Sequence, residues 1–188
     1  MFAVLPTVSS EACEPEPVQP WKKVDEQVVY DRFRRIASRT FELPGGNVVD
    51  FEVIDLFDSV VVLALTAAND VVLVRQFRPG PEELLLELPG GVVEAGRRPI
   101  DAAEAELREE TGYTGRFTGA GTMLKDGYAT NTKHVFVATD CERVAEPAEP
   151  EVTEHFVVSL VQFREHLRGG RLTDTDAGYR GLDFLGLL

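Results

Sequence analysis

Glu106, Glu109 and Glu110 stand in the segment Gly90–Tyr113, GGVVEAGRRPIDAAEAELREETGY, between a Gly-Gly turn and a closing Gly112. On a helix, at about 100° per residue, Glu110 falls about 40° to one side of Glu106 and Glu109 about 60° to the other, so the carboxylates share one arc. Ile100, Ala103 and Leu107 fall beside that arc, toward a core, while Glu104 and Arg108 lie on the far side. Like charges one turn apart repel, and acidic residues on an exposed helix are common. Here the triplet adjoins the apolar face and follows a tight glycine turn, which separates it from a merely solvated surface. A hard divalent cation relieves the repulsion, because magnesium and manganese favour carboxylate oxygens, carbonyls and waters. Phosphate oxygens complete such sites, and the ions polarise phosphorus and activate water. The chemistry open to these residues is metal-assisted hydrolysis at phosphorus.

Pro99, at the first helical position, opens the helix that must carry the triplet, and Gly112 ends it. Upstream, SVVVLAL and VVLVRQFR flank Ala67–Asp70, and their density of Val and Leu predicts strands buried on both faces. ELLLELP is ambiguous by period; its length and the following Gly90 and Gly91 favour a short strand. Before these, residues 26–56 hold two alternating runs separated by Pro44, Gly45, Gly46 and Asn47, the pattern of a β-hairpin. Further strands are predicted around Arg116–Leu124, Lys133–Thr139 and Val152–Val158. Ser159 with Gln162 forms a capping-box pattern before Leu160, Phe163 and Leu167 at helical spacing. A last helix is expected from about Thr173 toward Leu188, weakened by Gly178, Gly181 and Gly186. Mixed strands with helices inserted and appended predict an α/β fold, a mixed sheet sandwiched by helices and preceded by a small antiparallel β-unit.

The 188-residue chain is 44% hydrophobic and 27% charged, enough for one sizeable core with a small appendage. A formal charge of −13 argues against nucleic acid as a partner, since binding a phosphate backbone needs a basic surface. Cys13 and Cys141 form no spaced set and read as reduced thiols of a cytoplasmic protein. The apolar start lacks a basic flank and turns into EACEPEPVQP, so no signal peptide is expected. No run approaches the roughly 20 apolar residues of a membrane helix, so no membrane is expected as a partner. The expected organisation is a loosely ordered segment over residues 1–20, a β-unit over 21–57 and the main domain over 58–188.

The helical segment resembles the signature of the Nudix hydrolases, G-x5-E-x7-R-E-U-x-E-E-x-G-U, with U an apolar residue. Gly91 matches its first glycine, Glu106-Leu107 its E-U, Glu109-Glu110 its E-E, and Gly112-Tyr113 its end. Arg97 stands where the pattern has its first glutamate, and Ala105 where it has arginine. Those two positions brace loop against helix in relatives, so their joint departure resembles removal of one interaction. Arg97 reaching Glu109 from the opposite side is the expected substitute. VVLVRQFR, ELLLELPGG, DGYATNTKHVFVATD and the acidic loop before Ser159 extend the resemblance to the ADP-ribose pyrophosphatase branch, over most of the chain beyond residue 20.

The resemblance implies a Nudix α/β/α sandwich. It also implies attack of a metal-activated water on the diphosphate of ADP-ribose or a related nucleoside diphosphate sugar. Glu106, Glu109, Glu110 and the Gly90 carbonyl would hold magnesium, with manganese as an alternative. Arg75 and Arg78 would contact the diphosphate, bidentate recognition being natural to guanidinium. Glu87, in the E-L-P run, would act at the substrate as an outer metal ligand or as a base for a substrate hydroxyl. The general base would be a loop glutamate: Glu149, Glu151 and Glu154 all qualify, and Glu151 is preferred by register. A homodimer through the N-terminal β-unit is implied as well. Trp21 and Phe33 would stack a base or pack in a core, and Lys125, Asp126 and Tyr128 lie on a loop that could reach the sugar. His134, His155 and His166 share no metal-like spacing. Two other functions fit the same residues: hydrolysis of nucleoside triphosphates or dinucleoside polyphosphates, and nucleotide-sugar binding without cleavage.

Overall fold

The computed structural model describes residues 17–148 and 153–188. The loose order expected for residues 1–20 therefore concerns mostly residues outside the described ones.

The centre of the fold follows from one strand. In β4 (Ser59–Thr66), successive side chains point to opposite faces. Val60, Val62 and Ala64 pack with Ala102, Ala103 and Leu107 of α1 (Pro99–Thr111). Val61, Leu63 and Leu65 pack with Phe163 and Leu167 of α2 (Leu160–Gly169) and with Ala177 and Leu182 of α3 (Thr175–Phe184). Two cores need apolar residues at every position of the strand between them, which is why SVVVLAL reads as an unbroken run.

The sheet order is β10-β5-β4-β9-β8, with β6 added on β5 and β7 on β4. Its strands are β5 (Val71–Arg78), β6 (Glu83–Glu87), β7 (Gly90–Val92), β8 (Tyr113–Leu124), β9 (Thr132–Arg143) and β10 (Thr153–Val158). β4 and β9 are parallel while the other pairs are antiparallel. A parallel neighbour needs a crossover rather than a tight turn, and the chain between β4 and β9 carries α1 across one face. The result is the expected mixed sheet between helical layers. The capping box at Ser159 is present, and the Ala67–Asp70 turn joins β4 to β5.

Ahead of the sandwich, β1 (Lys22–Asp31), β2 (Arg35–Glu42) and β3 (Val48–Asp55) form a separate antiparallel sheet. The glycine turn between β2 and β3 is where the hairpin pattern places it, with Gly46 at φ 82°. The run before it differs from the hairpin reading: it breaks at Arg32–Arg34 into two strands, β1 and β2. This sheet is joined to the sandwich through the loop before β9. Ile54 N–H donates to Tyr128 O at 2.8 Å, and Thr130 N–H donates to Ile54 O at 3.0 Å. Trp21 stacks on Phe51 at 5.5 Å between ring centres, and Phe51 lies 6.3 Å from Tyr128. Trp21 is thus engaged in aromatic packing, whereas Phe33 is 96% exposed.

The last helix is shorter than expected and ends before Gly186, at φ 67°. Gly178 and Gly181 do not act as weak points. Both are buried, and a Cβ on Gly181 would stand 2.7 Å from Leu63 Cδ2, so the missing side chains let α3 seat on the sheet and on α2. Among the described residues, no helix is long and apolar enough to cross a membrane.

Candidate active site

Helix α1 starts at Pro99 without a side-chain cap on Arg98, whose guanidinium instead pairs with Asp101 in the first turn, Nε to Oδ2 at 2.7 Å. An acidic residue there also suits the helix dipole. The helix ends at Gly112, which adopts φ 76° and returns its N–H to Arg108 O at 2.8 Å. The segment after β9 is laced onto this end. Ala145 N–H donates to Gly112 O at 3.2 Å and Ala148 N–H to Glu109 O at 2.7 Å. Only glycine fits at 112, since a Cβ would meet the Ala145 carbonyl oxygen at 2.0 Å.

The glycine pair expected as a turn is instead the start of strand β7: Gly90 and Gly91 pair with Val61 and Val60 of β4 and lie beneath Glu110 and Glu106. Gly90 N–H donates to Glu110 Oε2 at 3.0 Å, and a Cβ on Gly90 would lie 2.3 Å from the Val60 carbonyl oxygen. Glu106 presses on Gly91, whose own Cβ would stand 2.1 Å from Glu106 Oε1. Glu109 is exposed one step around the helix. Burial pushes the Glu110 carboxyl up to about 7, with the Gly90 N–H opposing and the Glu106 charge adding to the rise. Burial and the Glu109 charge likewise raise Glu106, while Arg97 lowers it.

Glu87 is completely buried at the end of β6. Arg78 Nε donates to its Oε2, and Thr173 donates to its Oε1 through both hydroxyl and, at 3.3 Å, backbone N–H. Arg78 and Glu87 both lie within electrostatic reach of Glu110. The structure therefore brings Glu87, Arg78, Glu106 and Glu110 into one neighbourhood. Arg75 pairs with Glu154, its register partner across β5 and β10, and lies 4.9 Å from the Phe156 ring. Glu154 is accordingly a strand residue; Glu149 and Glu151 lie outside the described residues.

One expectation is corrected. Arg97 makes no ion pair with Glu109; it donates to Asp101 O at 3.1 Å and lies 3.9 Å from Glu94. Its place before Pro99 aims it along the first turn of α1, and Glu109 belongs to the last.

The histidines have other partners. His166 Nε2 donates to Leu86 O at 2.6 Å, His134 lies 3.3 Å from Asp58, and His155 packs by Tyr113. Lys133 is a further buried charge, 7% exposed, and pairs with Asp174 at 2.8 Å and Asp176 at 2.9 Å at the start of α3. A lysine inside the apolar run KHVFVA was the available signal. Nothing in the sequence marked Thr173.

Among the described residues, no three His, Cys, Asp or Glu side chains already stand gathered as a metal cluster. The donors nonetheless fit a hard divalent ion. Glu110 is a half-buried carboxylate with one N–H donor, and the charges of Glu106 and Glu87 disfavour its ionised form. Added positive charge is what such a carboxylate lacks, and oxygen donors suit magnesium or manganese.

The comparisons agree with this arrangement. A family model described as NUDIX domain matches residues 55–175. The ADP-ribose pyrophosphatase of Bacillus subtilis is 31% identical over 145 residues, covering 76% of this chain and 78% of that one. The methanol dehydrogenase activator of Bacillus methanolicus is 28% identical over 155 residues, covering 80% and 84%. A solved structure titled as an ADP compounds hydrolase superposes with a TM-score of 0.75 at 19% identity, over 92% of this chain and 100% of that one, which is a likeness of fold. With the glycine strand, the carboxylate-bearing helix and the mixed sheet in place, this chain belongs to the Nudix family, as a pyrophosphohydrolase similar to the ADP-ribose pyrophosphatases.

Proposed function

We propose that this chain cleaves the diphosphate linkage of ADP-ribose or a related nucleoside diphosphate sugar. The observation that carries the reading is Glu106 and Glu110 of α1 over Gly91 and Gly90, with Glu109 beside them on the helix and Arg78 paired to the buried Glu87. Glu106, Glu109, Glu110 and the Gly90 carbonyl would hold magnesium, or manganese in its place. When bound, the metal supplies charge neutralisation of the diphosphate and activation of water. Arg78, with its Nε engaged by Glu87, keeps its terminal amino groups for diphosphate oxygens, and Arg75 offers a second guanidinium. Glu151 is assigned as proton acceptor. The described residues flanking it support this, since Ala148 is tied to Glu109 and Glu154 to Arg75.

Residues 21–57 are assigned as the dimerising unit and 58–188 as the catalytic domain. The exposed apolar side chains of β1, Val24, Val28, Val29 and Tyr30, support a homodimer. A cytoplasmic setting accords with Cys141 as a free thiol.

The test is detection of phosphate-bearing products, with magnesium and with EDTA. The panel is ADP-ribose, GDP-mannose, UDP-glucose, diadenosine polyphosphates and nucleoside triphosphates, with Glu110→Gln as control. Metal-dependent cleavage of a diphosphate sugar, lost in the variant, is expected. Cleavage of triphosphates or dinucleoside polyphosphates instead would replace the substrate class. Thermal stabilisation by ligand without turnover would identify a binding protein, a reading that the Arg97 and Ala105 departures favour.

A further inference from the structure

The chain between α2 and α3 crosses the end of the sheet where Glu87 is buried. A completely buried carboxylate must have its oxygens satisfied, and a partner removed from it leaves a costly unpaired acceptor. Glu87 divides its two oxygens between two elements. Oε2 accepts from Arg78 Nε on β5, and Oε1 accepts from the Thr173 hydroxyl and backbone N–H, after α2. The Thr173 hydroxyl also lies 3.5 Å from Asp174, which is itself anchored by the nearly buried Lys133 of β9. Asp176 adds a second carboxylate to the same ammonium, so the start of α3 is pinned at two points.

From this chain of contacts we infer that Thr173 is a positioning residue: by fixing the second oxygen of Glu87, it sets the orientation in which Arg78 presents its terminal amino groups to the substrate diphosphate. The inference rests on the proposed assignment of Arg78 to the diphosphate. Thr173 touches neither substrate nor metal in this arrangement; it acts through Glu87. With the hydroxyl gone, Glu87 keeps only the longer N–H bond on Oε1, the carboxylate is free to rotate, and the Arg78 fork turns with it. Arg78 binds the diphosphate in the ground state and the transition state alike, so the loss falls on KM rather than kcat.

The experiment measures kcat and KM for ADP-ribose with magnesium, and Kd for a non-cleavable methylene analogue of ADP-ribose by calorimetry. The set is wild type, Thr173→Val, Thr173→Ser, Arg78→Ala and the Arg78→Ala/Thr173→Val pair, with melting temperatures for all. Thr173→Val is expected to raise both KM and the analogue Kd by about tenfold with kcat within about twofold. Thr173→Ser is expected to stay near wild type, and Thr173→Val to add nothing once Arg78 is gone. Wild-type KM and Kd in Thr173→Val would overturn the inference, as would additive effects with Arg78→Ala. So would a drop in melting temperature and kcat with KM and Kd unmoved, which is the signature of a purely structural residue. Wild type that binds the analogue without cleaving ADP-ribose would defeat the hydrolase reading and leave the Kd series to decide the role of Thr173. Wild type that does neither would defeat both.

Discussion

Glu106 lies against the bare Cα of Gly91, so closely that a methyl group added there would stand 2.1 Å from Oε1. The contact is with the end of a flexible side chain, so the fold can absorb an alanine at 91, but only by swinging the carboxylate away from the glycine strand. Gly91→Ala is therefore expected to keep its melting temperature within a few degrees while turnover falls by about 10–100-fold, as when metal-supporting contacts are removed. Turnover against magnesium concentration checks this, and the variant's half-saturation should move to higher metal.

The half-buried Glu110 carboxyl gives the metal-free protein a characteristic pH dependence. Its proton is held up to about 7, against an ordinary value of 4.5 for the unfolded chain. Between those values the native state binds more protons than the unfolded state, so stability is full below the lower value and falls as pH rises through the upper one. The loss is about 3 kcal/mol. Urea unfolding in EDTA from pH 5 to 8 should show it, Glu110→Gln should flatten it, and magnesium should oppose it.

Burial pushes the Cys141 thiol up to about 11. At pH 8 about one molecule in a thousand then carries the thiolate, which is the reactive form. Iodoacetamide is expected to leave Cys141 unmodified over hours in the native protein and to label it fully in guanidinium. Peptide mass mapping reads the difference, and rapid native labelling would contradict the buried position.

Gly181 carries α3 against Leu63, and a Cβ there would meet Leu63 Cδ2 at 2.7 Å and Cβ at 3.0 Å. Leu63 is itself fully buried in the central strand and cannot retreat. Gly181→Ala should cost ~1–3 kcal/mol by overpacking, despite alanine's better helix propensity. Chemical denaturation measures it; a stabilised variant would mean α3 rides higher on the sheet than described.

The sandwich was legible because its determinants are local and repetitive. An all-apolar SVVVLAL has no solvent face to offer, Pro99 and Gly112 bracket one helix, and Ser159 with Gln162 caps another. The side of α1 on which Glu106 and Glu110 meet Gly91 and Gly90 was legible for the same reason, because helical periodicity converts spacing into direction. What was missed depended on contacts between distant segments. Gly178 and Gly181 look like helix breakers until Leu167 and Leu63 are placed against them. The break at Arg32–Arg34 leaves no proline or glycine to announce it. Thr173 meets Glu87 across 86 positions of chain, and no pattern within either segment encodes that meeting. Arg97 was given the wrong partner because the family pattern suggested a brace to the helix end, whereas the backbone before Pro99 leaves it beside Glu94 and Asp101.

The hydrogen bonds from Ile54 to Tyr128 and Thr130 bear on how the protein comes apart. Leu56 N–H adds a third, to Thr130 Oγ1 at 3.0 Å, and Asp58 accepts the Thr132 N–H at 2.8 Å, so β3 and the chain just after it run as an extra seam along the approach to β9. A chain beginning at Asp58 would bare the Tyr128 carbonyl and the Thr130 N–H and hydroxyl just ahead of β9, the strand that pairs in parallel with β4. The three-stranded sheet is therefore expected to melt together with the sandwich, and protection of the Ile54 and Thr130 amides from hydrogen exchange would report on that coupling.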